Sequence, residues 1–189
     1  IDAVRDVILT GAGADDIDTA LASSTVAGGN IILSGSGDDA IAIGRRDRVF
    51  AGRGDDIITA FESQGGNRAS GGAGRDTFFT GDTNGLGDRF LGGTGEDTFF
   101  VGAGGGNLFS GGADADTFVV VTGDNPGSAN TISDFTSGED VLEIAASALG
   151  AGDLDLTDGS NVILGGDTIA VLIGVLAADL TVGSDIVFV

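Results

Sequence analysis

Six aspartates, Asp15, Asp39, Asp56, Asp76, Asp97 and Asp116, each hold the sixth place of a nine-residue segment with glycine at its second place and an apolar residue at its eighth. The segments are TGAGADDID from Thr10, SGSGDDAIA from Ser34, AGRGDDIIT from Ala51, GGAGRDTFF from Gly71, GGTGEDTFF from Gly92 and GGADADTFV from Gly111. A carboxylate in a glycine-rich turn is a hard oxygen donor, suited to a hard cation. Adjacent carboxylates such as Asp38 and Asp39 could also act as an acid–base pair on a glycoside. A catalytic pair is needed once, whereas this arrangement recurs in every segment, so ion binding is expected and catalysis is not.

Composition narrows the chemistry further. The chain has 189 residues, enough for one ordinary domain or two small ones. It contains no histidine, cysteine or lysine, which removes histidine triads, thiolate and imidazole metal sites, Schiff-base chemistry and the P-loop lysine. A net charge of −21 would repel nucleic acid and anionic membranes and attract multivalent cations, so no nucleic-acid partner is expected. No apolar run reaches the roughly 18 residues needed to span a bilayer. With 36 glycines but one proline, and 41% hydrophobic residues, the chain reads as folded and dense in turns.

The spacing shows which elements must carry the aspartates. Nine residues before each stands another Asp or Asn: Asp6, Asn30, Asp47, Asn67, Asp88 and Asn107. The return from each aspartate to the next such residue varies over 15, 8, 11, 12, 10 and finally 14 residues, to Asn130. One edge is strict and the other tolerates insertions. The pattern predicts an all-β fold, a parallel β-roll or β-helix solenoid of about six to seven two-stranded coils with a C-terminal β cap. Ile17, Ile41, Ile58, Phe78, Phe99 and Phe118 are expected to stack as one inward ladder, facing Ile8, Ile32, Val49, Ala69, Phe90 and Phe109.

Coils about 4.8 Å apart would bring the aspartates into a column of like charges, repelling by about 1 kcal/mol per neighbour even in water. Calcium would relieve this, because it takes 6 to 8 oxygens from carboxylates and carbonyls, and glycines let a tight turn aim its carbonyls. The segments resemble the nonapeptide repeat of the RTX, or haemolysin-type, calcium-binding proteins. That resemblance implies ligands from Gly11, Gly13 and Asp15; Gly35, Gly37 and Asp39; Gly52, Gly54 and Asp56; Gly72, Gly74 and Asp76; Gly93, Gly95 and Asp97; and Gly112 with Asp116. Six turns imply up to about five calcium ions between coils. The sixth copy departs from the pattern, with Asp114 where glycine is expected. Calcium is expected chiefly in this row, with the Asn-rich opposite edge largely empty.

The resemblance extends past the repeats. Residues 1–129 form the expected calcium-binding β-roll, and residues 130–189 a capping region. NTISDFTSGEDVLEI, from Asn130, is similar to the segment that closes RTX solenoids and reuses Gly138, Asp140 and Leu142 in a seventh turn. NVILGGDTIAVLIGV reads as two strands around a glycine turn. The terminal SDIVFV resembles the uncleaved signal of proteins exported by type I secretion, and equally fits a last strand. By resemblance the chain is a secreted module of a Gram-negative bacterium that folds on extracellular calcium, attached to a larger protein. The alternative is a surface-layer, adhesin or fibre protein in which calcium orders assembly.

Three surface features stand apart from the repeat. Arg48, Arg68 and Arg89 share one outward place, either as a stripe for an anionic sugar or, as the leading expectation, as solvated arginines paired with nearby acids. Val7, Leu9, Ile31, Leu33 and Phe50 should face outward near the start, where an upstream domain or another copy of the chain is expected to cover them. Phe79, Phe100 and Val119 form a second outward stripe, expected to lie under the C-terminal strands. The RGD at Arg53–Asp55 is expected to belong to the repeat rather than to a receptor contact.

Overall fold

A computed structural model describes residues 5–20, 28–61, 63–81, 86–102, 104–121, 129–145, 152, 154–156, 161–164 and 167–189. The strands that enter the strict turns are β1 Val7–Ala12, β3 Ile31–Ser36, β5 Arg48–Arg53, β7 Arg68–Ala73, β9 Arg89–Thr94 and β11 Leu108–Ala113. Those that leave them are β2 Asp16–Asp18, β4 Ala40–Ala42, β6 Ile57–Ala60, β8 Thr77–Thr80, β10 Thr98–Val101 and β12 Thr117–Val121. Within the repeats each set pairs with its own members, in parallel, so the chain alternates between two facing sheets and forms a β-solenoid.

The register follows the repeat. The second-place glycines Gly11, Gly35, Gly52, Gly72, Gly93 and Gly112 are consecutive Cα partners through six coils. Alternation along each strand then sends the apolar ladders between the sheets. All twelve residues named for those ladders are buried except Ile8, which is half-buried on the first coil. The aromatic residues stack in order, Phe78 on Phe99 at 4.7 Å and Phe99 on Phe118 at 4.9 Å between ring centroids. Each buried side chain of this size contributes roughly 1.5 to 3 kcal/mol, which no isolated coil could gain.

The C-terminal part continues the stack. β13 Asn130–Ile132 and β14 Val141–Ala145 add a seventh coil, and β17 Asp167–Leu172 and β18 Ile186–Phe188 add one more rung to each sheet. β16 Asn161–Leu164 then runs antiparallel to β17, and β15 Leu154–Asp155 antiparallel to β16. This reversal closes the parallel ladder of the ten-stranded sheet. The C-terminal strands therefore lengthen the sheets instead of lying across the Phe79, Phe100 and Val119 stripe. Leu142 pairing with Ile186 fixes that outcome, because it draws the last strand into the core. Phe79 and Phe100 stack at 4.7 Å and stay half-buried, while Val119 is buried.

Among the described residues there is one 3-10 turn, Ala177–Asp179, and no helix long and apolar enough to cross a membrane. At the first coils Val7, Leu9, Leu33 and Phe50 are exposed and Ile31 is half-buried.

Candidate metal centre

On the strict edge the six repeat aspartates form a continuous ladder. The N–H of Asp15 donates to Asp39 Oδ1 (2.8 Å), that of Asp39 to Asp56 Oδ1 (2.8 Å), and that of Asp56 to Asp76 Oδ1 (2.9 Å). The N–H groups of Asp76, Asp97 and Asp116 continue it to Asp97, Asp116 and Asp140 at 2.8, 2.9 and 2.9 Å. One carboxylate oxygen per coil is thus committed to holding the next coil. The other has no such use: Oδ2 of Asp15, Asp39, Asp56, Asp76 and Asp97 is buried without any hydrogen-bond partner. An unpaired buried polar atom costs about 1 to 3 kcal/mol, and more when charged.

The opposite edge has the same ladder and a different balance. The N–H groups of Asp6, Asn30, Asp47, Asn67, Asp88 and Asn107 donate in turn to Oδ1 of Asn30, Asp47, Asn67, Asp88, Asn107 and Asn130, at 2.7 to 3.1 Å. Here the second side-chain atoms are engaged. Asp47 Oδ2 accepts from Thr19 Oγ1 (2.8 Å) and the Gly44 N–H (2.9 Å), and Asp88 Oδ2 from Ser63 Oγ (3.4 Å). Asn67 Nδ2 donates to Ser63 Oγ and Asn107 Nδ2 to the Gly104 carbonyl. Among the described residues, no buried Asp or Asn side-chain atom of this edge lacks a partner.

Asparagine supplies the ladder oxygen as well as aspartate does, as Asn30, Asn67, Asn107 and Asn130 demonstrate. The strict edge nevertheless carries aspartate in all six repeats. What aspartate adds there is the second, charged oxygen. Burial pushes the carboxyls of Asp56 and Asp76 up to about 6, and those of Asp97 and Asp116 up to about 7. Neighbouring carboxylates raise them further, against the pull of the N–H that each accepts.

The turn glycines complete a mixed donor set. A Cβ built on Gly35 would collide with the Gly11 carbonyl oxygen, and one on Gly37 with that of Gly13; the same holds for Gly52 and Gly54 against Gly35 and Gly37. The pattern continues up the stack as far as Gly112 against Gly93. Second- and fourth-place carbonyls therefore point along the stack into the intervals between turns. Cβ atoms on Gly92 and Gly111 would likewise strike Oδ2 of Asp97 and Asp116. Among the described residues no three carboxylates converge on one point, so each interval offers main-chain carbonyls with one or two carboxylates. Such all-oxygen sets suit calcium, whose coordination is large and flexible.

Asp114 preserves the sixth turn. It adopts φ 78, within the left-handed region that glycine occupies elsewhere in the row, and its Oδ2 accepts from the Gly95 N–H (3.1 Å). Asp55 of the RGD triplet accepts from the Arg75 N–H (2.8 Å), which gives it a place in the repeat.

The seventh turn expected at Asp140 continues the strict edge, and one further turn, at Asp185, escaped the sequence reading. Asp140 Oδ2 accepts from the Thr136 N–H (2.7 Å), and Asp185 Oδ2 from the Thr181 N–H (2.6 Å) while its Oδ1 accepts from Gly138 (2.6 Å). In both turns a backbone N–H occupies the second oxygen. Burial raises Asp140, whereas for Asp185 the backbone donors outweigh burial and hold its carboxyl low. The shared signal is TSGED at Thr136 and TVGSD at Thr181. No family model, curated protein or solved structure matches the chain.

Proposed function

We propose that the chain is a calcium-binding β-solenoid module whose coils lock when ions fill the intervals of the strict edge. The observation that carries this reading is the row of five buried Oδ2 atoms without partners, at places where asparagine would serve the ladder equally well. Gly11, Gly13 and Asp15, and their equivalents in each coil as far as Gly112 and Asp116, would hold the ions. Calcium supplies the positive charge and the remaining coordination that the fold itself does not. The residues' own task is to present carbonyls and one free carboxylate oxygen per turn at fixed spacing.

The RTX resemblance implies that this module acts outside a bacterial cell, exported by type I secretion, as part of a larger secreted protein. At low cytosolic calcium the acidic turns would repel and leave the chain loose for export. Outside, millimolar calcium would fill sites of about 10⁻⁴ to 10⁻³ M affinity. The test is far-ultraviolet circular dichroism in chelator and then in millimolar calcium. A β spectrum that develops only with calcium is expected; equal, fully folded spectra in both would reject the reading.

A further inference from the structure

The outer face of the ten-stranded sheet carries a feature that the metal reading leaves unused. Arg48, Arg68 and Arg89 are directly in register on β5, β7 and β9. Neighbouring strands lie about 4.8 Å apart, so three guanidinium groups rise side by side. Like charges directly opposite one another on adjacent strands destabilise a sheet. The chain has 29 acids with which to neutralise them, yet among the described residues the one ion pair is Arg75 with Glu96 (3.0 Å), out on the turn edge. The expected pairing of the stripe with nearby acids is not made. All three arginines are exposed.

Two residues further along the same strands runs a second row, with Phe50, Ser70 and Leu91 as consecutive partners. Phe50 is 54% exposed and Leu91 37%, and the small Ser70 between them leaves a notch. Together with the arginines these residues line a cavity of about 330 Å³, within the size range of small-ligand sites. It has an apolar wall at each end, a hydroxyl on its floor and three forked cations along one side.

We propose that this groove binds a linear acidic polysaccharide running along the stack. One acidic sugar sits over Ser70, with its carboxylate on the planar fork of Arg68 and the units either side of it lying over Phe50 and Leu91. Arg48 and Arg89 meet acidic groups on the units either side, because the spacing between coils is of the order of one sugar unit. An anionic membrane fits less well: the chain's net charge of −21 repels a broad charged surface, whereas a single strand can reach the groove alone. The site lies on a sheet face, away from the turns, and does not depend on the metal reading.

The test is calorimetric titration of the full chain, in low salt and excess calcium, with a tetrasaccharide of galacturonic acid. A neutral tetrasaccharide and anionic phospholipid vesicles serve as comparisons. Saturable binding of the acidic sugar is expected, weakened by salt and reduced about tenfold or more by Arg68→Ala, the loss of one charge-assisted bidentate contact. Ser70→Phe should abolish it by filling the notch. Arg53→Ala, on the turn edge, should leave it unchanged, with circular dichroism confirming that every variant is folded. Absence of binding at millimolar sugar, equal binding by Arg68→Ala and Ser70→Phe, or binding to the vesicles alone would each overturn the proposal.

Discussion

The two edges of the solenoid are built from one device and put to different ends. Each has a buried Asp or Asn whose Oδ1 accepts the backbone N–H of the preceding coil, at nearly the same distances. On the loose edge Asp47 and Asp88 find hydroxyl or N–H donors for their second oxygens, and asparagine alternates with them. On the strict edge aspartate is constant through the repeats and five second oxygens have no donor. The loose edge is complete as folded; the strict edge keeps unpaired oxygens that, in the function proposed above, a cation would complete. Asp140 and Asp185 show how such a turn closes on itself, through a threonine N–H four residues upstream.

The comparison breaks most visibly under truncation. Asp97→Ala should remove the acceptor of the buried Asp76 N–H together with an ion ligand, costing about 3 to 5 kcal/mol in calcium. Asn107→Ala, on the other edge, should cost about 1 to 3 kcal/mol whether or not calcium is present. Thermal melts in calcium and in chelator would check both. Glycine replacement should give a smaller contrast. Gly74→Ala forces a side chain to φ 131 against the Gly54 carbonyl, for about 1 to 3 kcal/mol. Gly66→Ala, at φ 81 on the loose edge, meets only the Arg46 side chain and should cost about 1 kcal/mol.

Proton linkage sharpens the contrast without mutation. Asp56, Asp76, Asp97 and Asp116 have folded-state carboxyls at about 6 to 7, above the ordinary value of 3.8. The metal-free fold therefore binds protons more tightly than the unfolded chain does, so its stability falls as pH rises from about 4 to about 7. In chelator the melting temperature should be higher at pH 5 than at pH 8. With calcium the order should reverse, because protons compete for the same oxygens. The smallest effect belongs to Asp88→Asn, under about 1 kcal/mol in either condition, since Asn67 and Asn107 already fill that row.

Much of this was legible in the sequence because the nine-residue spacing between edges never varies. That spacing alone places Phe78, Phe99 and Phe118 in one ladder and predicts which glycines stack. The shared ladder hydrogen bond was not legible, because it joins residues 17 to 24 apart and exists only once the coils are in register. Asp185 was hidden by the long excursion through β15, β16 and β17 between TSGED and TVGSD. The Arg48 stripe was visible as a place in the repeat. Its lack of acidic partners depends on where the folded chain brings the acids, and spacing does not reveal that.

The most direct measurement is the melting temperature of Asp76→Asn, in millimolar calcium and in chelator. Asparagine retains the Oδ1 that accepts the Asp56 N–H and removes only the charged second oxygen. The variant should melt lower than the parent in calcium, and no lower than the parent in chelator, where a buried charge and its repulsion have been removed. A loss of stability of the same size in both conditions would contradict the claim that this oxygen is there for a cation.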